Sequence, residues 1–219
     1  SAASSFDGAG DVGWMAAFVE SYDSSVPYSV VRDLLRRWWG LDDIDEPFER
    51  IQRATSALRD PDSAAYLGYV AGVRLGDREA AFVENLEPPV LHSRVRDAFI
   101  RYLEAEAGRR PLVLAVEDVH WADPMSLALV EGMMDASERV PVGLLFSMRP
   151  QREEPAWALH EAAERDHPHR YHPFSLGSLD DPAAEAMLDV CLADIDAPPA
   201  LKRRILERAD GNPLFIEQM

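Results

Sequence analysis

Lysine is almost missing from this chain. Of 22 basic residues in 219, Lys202 is the single lysine, and it lies in LKRRIL, a helical pattern without a glycine. A glycine-rich phosphate-binding loop needs backbone N–H groups to cradle phosphate and a lysine to reach it. Lys202 is unsuited to that task, and Gly8, Gly10 and Gly13 have no lysine near them. Cysteine is as scarce. Cys191 stands alone, which excludes an internal disulfide framework and suits a reducing compartment. No apolar run approaches the roughly 20 residues that span a bilayer, and SAASSFDGAGDVG carries no basic segment of the kind that opens a signal peptide. Positive charge is in deficit too. A net charge of −17 repels phosphate backbones and anionic lipid. The expectation is a cytoplasmic protein with no direct nucleic-acid partner and no membrane.

What is present is a good core composition, 47% hydrophobic against 28% charged, and one stretch around which the rest is arranged. In PLVLAVEDVHWAD, residues 111–123, five apolar residues run from Leu112 to Val116 and stop at Glu117 and Asp118. An uninterrupted apolar run of that length reads as a strand buried on both faces, as in parallel α/β sheets. In such sheets ligands bind beyond the carboxyl ends of the strands, where the two acids fall. Asp123-Pro124 then supplies an N-cap and a proline at the first helical position, opening a helix to about Glu138. Val142–Ser147 is a second apolar strand, ending in Met148-Arg149.

The remainder alternates strand and helix up to about residue 175 and is helical after it. Trp14–Glu20 reads as a strand. Pro27 opens a helix with Val31, Leu34, Leu35 and Trp38 on one face, which puts Trp38 in the core and Trp39 on the surface. Residues 47–87 form a small helical insert broken at Asp60-Pro61. Val90–Ala107 is the longest helix, with Leu91, Val95, Phe99 and Tyr102 or Leu103 facing inward. Pro155–Arg165 is a short helix, and Arg170–Phe174 a strand. Helices opened by Asp180-Asp181-Pro182 and Pro198-Pro199, with a restart after Gly211-Asn212-Pro213, complete an all-helical C-terminal segment, residues 176–219.

Three readings fit Glu117-Asp118. Carboxylates often end strands because water solvates them there. In a Walker B arrangement, one acid holds Mg²⁺ and the other polarises the attacking water. In a free-standing metal centre, Glu117, Asp118, His120 and Asp123 would be ligands, although capping already accounts for Asp123. His167, His169 and His172, splayed by Pro168 and Pro173, read as a loop with incidental histidines.

Taken together, VLAVEDVHWADPMSLALVEGMM, LLFSMRP and ILERADGNPLFIEQM resemble the signal-transduction ATPases with numerous domains, an AAA-related P-loop group. The closer likeness is to the ATPase modules of bacterial adenylate/guanylate cyclase-like proteins and of large LuxR-type transcription regulators. The resemblance implies an α/β fold: a partial P-loop-type parallel sheet flanked by helices, with a C-terminal all-helical lid. It implies ATP and Mg²⁺ as ligands. Glu117 falls at the Mg²⁺ position, Asp118 at the water-activating position and Arg149 where a sensor reads the γ-phosphate. Asn212 and Pro213 lie in the lid element that packs near the nucleotide.

The departure is the missing phosphate loop. In relatives its strand and helix precede the segment resembling Trp14–Glu20, so the chain reads either as a fragment lacking that unit, the favoured reading, or as a nucleotide-blind descendant. Without that strand, its sheet neighbours would show two unpaired backbone rows. The expected function is a regulatory ATPase-like switch of a multidomain bacterial signalling protein, an ATP hydrolase in the intact parent and inactive as this fragment. Its partners would be ATP and the other domains of the polypeptide, with self-association open. The alternative is a nucleotide-independent protein-interaction module.

Overall fold

The three apolar runs pair side by side as one parallel sheet in the order β1 (Gly13–Phe18), β2 (Leu112–Glu117), β3 (Val142–Phe146). The computed structural model describes residues 12–20, 23–193, 195 and 197–218. Register places Met15 beside Leu114 and Leu114 beside Leu144 on one face of the sheet. Trp14 lies beside Val113, and Ala115 beside Leu145, on the other.

The two crossovers explain which face is covered. From β1 the chain passes through α1 (Ser29–Trp39) and later helices to β2. It then passes through α6 (Pro124–Ser137) to β3, stepping the same way across the sheet each time. Right-handed crossovers with a common direction put their helices on a common face. Accordingly α1 packs on β1, α6 on β3, and the two helices touch. Ala17, Leu114 and Val116 are fully buried on that side. On the opposite face Trp14, Phe18 and Leu145 stand 50%, 50% and 55% exposed. Among the described residues, no strand pairs with the outer edge of β3.

Behind α6 lies α5 (Pro88–Ala107), whose Leu91, Val95, Phe99, Tyr102 and Leu103 are all buried. Residues 47–87 are helical, as α2 (Pro47–Thr55), α3 (Ser63–Ala71) and α4 (Asp77–Glu84). Of these, α3 is buried along almost its whole length between α1, α2 and α5. The two tryptophans of α1 reverse the expected order. Trp39 is the buried one, its Nε1–H donating to Tyr102 Oη at 2.7 Å, while Trp38 is half-buried. An indole can go inside where its N–H finds a partner, and Tyr102 on α5 supplies one that the α1 pattern cannot reveal.

The chain divides into two compact units between Tyr171 and His172. The first ends with α7 (Trp157–Asp166). The second holds α8 (Asp181–Cys191), α9 (Pro199–Ala209) and α10 (Pro213–Gln218) around Ala184, Leu188, Ile205, Ala209 and Ile216. The strand expected at Arg170–Phe174 is not formed, and nearby Phe174 and Leu176 are 86% and 96% exposed. A lone segment has no ladder to join, and the Arg170 and Tyr171 amides instead donate to the His167 carbonyl at 2.9 and 3.0 Å, closing a turn. No helix among the described residues is long and apolar enough to cross a membrane.

Candidate functional site

β2 ends on Glu117, whose side chain is exposed, and the chain turns at once. Asp118 takes the left-handed conformation, φ 54° and ψ 40°. Aspartate is among the few L residues that tolerate it. The turn is fastened to the neighbouring strand. Ser147, just past β3, accepts the Asp118 amide on Oγ at 2.9 Å and the Val119 amide on its carbonyl at 2.9 Å. A single turn of 3₁₀ helix, Val119–Trp121, follows, with the Trp121 amide donating to the Asp118 carbonyl at 2.9 Å. The result is a carboxylate, 61% exposed, presented at the carboxyl edge of the sheet on a backbone held from two sides. Nothing in SMRP singles out Ser147 beforehand, because its part depends on strand pairing.

Asp123 has turned inward. It caps α6 by accepting the Met125 and Ser126 amides on Oδ1, at 2.9 and 3.0 Å. The same carboxylate accepts the amides of Tyr28 and Ser29, both at 3.0 Å, and the Ser29 hydroxyl at 3.1 Å. Ser126 Oγ accepts the Val30 amide at 3.1 Å. Helix α1, which has no capping side chain of its own, is therefore capped by α6. Two helix N-termini, each a partial positive charge, converge on one buried carboxylate.

This arrangement corrects the free-standing metal-centre reading. With Asp123 2% exposed and five donors on it, and His120 buried, Glu117, Asp118, His120 and Asp123 do not converge. Among the described residues no group of three or more His, Cys, Asp or Glu side chains is placed to hold a metal ion. The histidine loop is likewise structural. His167 and His169 contact Glu138 at 3.0 and 3.2 Å, and Arg170 reaches the Ser137 carbonyl, fastening the loop to the end of α6. The His167 hydrogen bond is the main cause that holds the Glu138 carboxyl below the usual glutamate range.

Arg149 is exposed just past β3, at the sheet edge that carries Glu117 and Asp118. Asn212 and Pro213 lie in the second unit. There Asn212 Oδ1 accepts the Leu214 amide at 3.0 Å and starts α10. Gly211 before them has φ 70°, and an added Cβ would collide with the Leu179 carbonyl. The one lysine is occupied, with Lys202 Nζ 2.6 Å from Asp189.

With this geometry in view, residues 2–146 match the family described as AAA ATPase domain. An uncharacterized protein of Rhizobium meliloti (strain 1021) is 34% identical over 95 residues, 43% of this chain. The matched stretch spans 9% of that relative's length. No solved structure matches.

Proposed function

Because the chain belongs to the AAA ATPase domain family, we propose that it forms the metal-and-water half of an ATP-dependent switch in a multidomain bacterial signalling protein. The observation that carries this reading is the acid pair beyond the middle strand, with Asp118 held outward in the left-handed conformation by Ser147.

The residues present fit that half of a nucleotide site. Both carboxylates are exposed at the sheet's carboxyl edge, so their oxygens are free to take a hydrated cation and a water. Mg²⁺ bound there would neutralise charge on the transferring phosphoryl group. Glu117 is assigned to hold that cation and Asp118 to orient the attacking water. Arg149 is assigned to read the γ-phosphate through its forked guanidinium donors. Asn212 and Pro213 are assigned to the lid contact.

The phosphate cradle is what these residues do not supply, since the lysine is paired with Asp189. A strand–helix unit could provide it and complete the sheet as well. Such a strand would pair with the open edge of β3. A right-handed crossover from there into β1 runs against the direction of the other two, so its helix would cover the Trp14, Phe18 and Leu145 face.

In the natural full-length polypeptide, Asp118→Asn should lower Mg²⁺-dependent ATP turnover about 100-fold or more, as loss of a catalytic base does. Glu117→Gln should raise the Mg²⁺ concentration required. Turnover indifferent to both substitutions would overturn the reading. The 219-residue chain alone should show no micromolar, Mg²⁺-dependent ATP binding.

The open sheet face favours a second reading, a nucleotide-independent module that docks partner domains. It expects Glu117→Gln and Asp118→Asn to leave signalling output unchanged.

A further inference from the structure

His120 has chemistry that nothing above uses. Its side chain is 2% exposed, and neither ring nitrogen has a hydrogen-bond partner among the described residues. An imidazole buried in that state has given up its hydration without return, and unsatisfied groups of this kind in native proteins usually have a reason. An acceptor lies just out of reach: Asp118 Oδ1 is 3.8 Å from Nδ1. The Trp121 ring packs against the imidazole, centroids 5.0 Å apart. The backbone between the two residues is fixed, because Ser147 holds the Asp118 amide and the Asp118 carbonyl accepts from Trp121. The mobile part is the exposed Asp118 side chain. A small rotation of it would close the gap to about 2.8 Å, a normal charge-assisted hydrogen bond.

We propose that His120 is a positioning residue for Asp118. Its Nδ1–H donates to one carboxylate oxygen and leaves the other to orient the attacking water. The imidazole acts only as a hydrogen-bond donor from Nδ1 and transfers no proton. This inference rests on the assignment of Asp118 made above. It explains why an apparently idle imidazole is kept behind the acid: the ring cannot reach solvent, but the carboxylate can reach the ring.

Three substitutions in the natural full-length polypeptide test it by steady-state ATP hydrolysis, with melting temperature as a check on folding. His120→Phe fills the space without a donor and should lower kcat about tenfold with KM for ATP–Mg²⁺ unchanged, the size of a modest misplacement. His120→Asn puts an amide N–H close to the Nδ1 position and should stay within about threefold of wild type. His120→Gln, whose amide matches Nε2, should behave as His120→Phe. In an Asp118→Asn background His120→Phe should have no further effect, since the two act as one unit.

Equal losses in all three variants, or losses that persist undiminished in Asp118→Asn, would mark His120 as a packing residue and overturn the proposal. If His120→Phe does not fold, the order of His120→Asn and His120→Gln decides alone. Turnover that falls with Asp118→Asn but ignores every His120 variant overturns this inference and leaves the ATPase reading standing. Absence of Mg²⁺-dependent turnover in the unsubstituted protein overturns both.

Discussion

One side chain, Asp123, shows how much a single buried carboxylate can organise. Hydrogen bonds to charged acceptors contribute about 1.5–3 kcal/mol each, and removing such an acceptor strands its donors. Asp123→Ala should therefore destabilise the chain by about 3–5 kcal/mol in urea unfolding, at the upper end for a point substitution. Asp123→Asn, which keeps one carbonyl oxygen for the α6 amides, should cost about half as much. A loss under about 1 kcal/mol for Asp123→Ala would refute the double-cap account. At Glu138 the prediction concerns acid. Its carboxyl is held below the ordinary glutamate value in the folded state, chiefly by the hydrogen bond to His167. Its stabilising contribution is thus complete above that ordinary value and lost as pH falls through the lowered one. Glu138→Gln should lose less stability than wild type between about pH 5 and pH 3. Parallel acid limbs for the two proteins would remove the His167–Glu138 bond from the account. Asp123 also marks the limit of sequence reading at this scale. Its role as the α6 cap is written in the Asp-Pro pair, whereas its grip on Tyr28 and Ser29, some 95 positions away, is not. His120 shows the same divide, since a histidine in a loop motif gives no sign of being buried or unpartnered.

Elements were legible where their signals are local. β2 announces itself as an apolar run between Pro111 and the acid pair, and α5 through its helical spacing, because each obeys a rule contained in its own residues. The strand expected at Arg170–Phe174 failed for a non-local reason: β propensity does not become a strand without a neighbouring ladder. The open sheet face was equally hidden, since alternation along β1 does not tell whether anything lies over Trp14 and Phe18. That face carries a prediction. Trp14→Thr, Phe18→Thr and Leu145→Thr together should lower unfolding stability by only about 2–4 kcal/mol, because each side chain is already about half exposed in the folded chain. They should also reduce concentration-dependent self-association of the isolated chain, as removal of an apolar patch beside a free strand edge does. Sedimentation at several concentrations would show it, and unchanged association would place the sticky surface elsewhere.

At the scale of the molecule, charge comes first. A surplus of 17 negative charges works against compactness, and salt screens it over about 10 Å at 0.1 M. The melting temperature should therefore rise with NaCl between about 0.01 and 0.2 M, and a flat response would mean the charges are locally balanced. The uncovered sheet face has a thermal counterpart. Unfolding raises heat capacity in proportion to the apolar surface newly wetted, about 12–15 cal/mol/K per residue for ordinary domains. Here Trp14, Phe18 and Leu145 already meet water in the folded chain. Calorimetry should consequently find a heat-capacity step smaller than the length alone implies, and a shallower curve of stability against temperature.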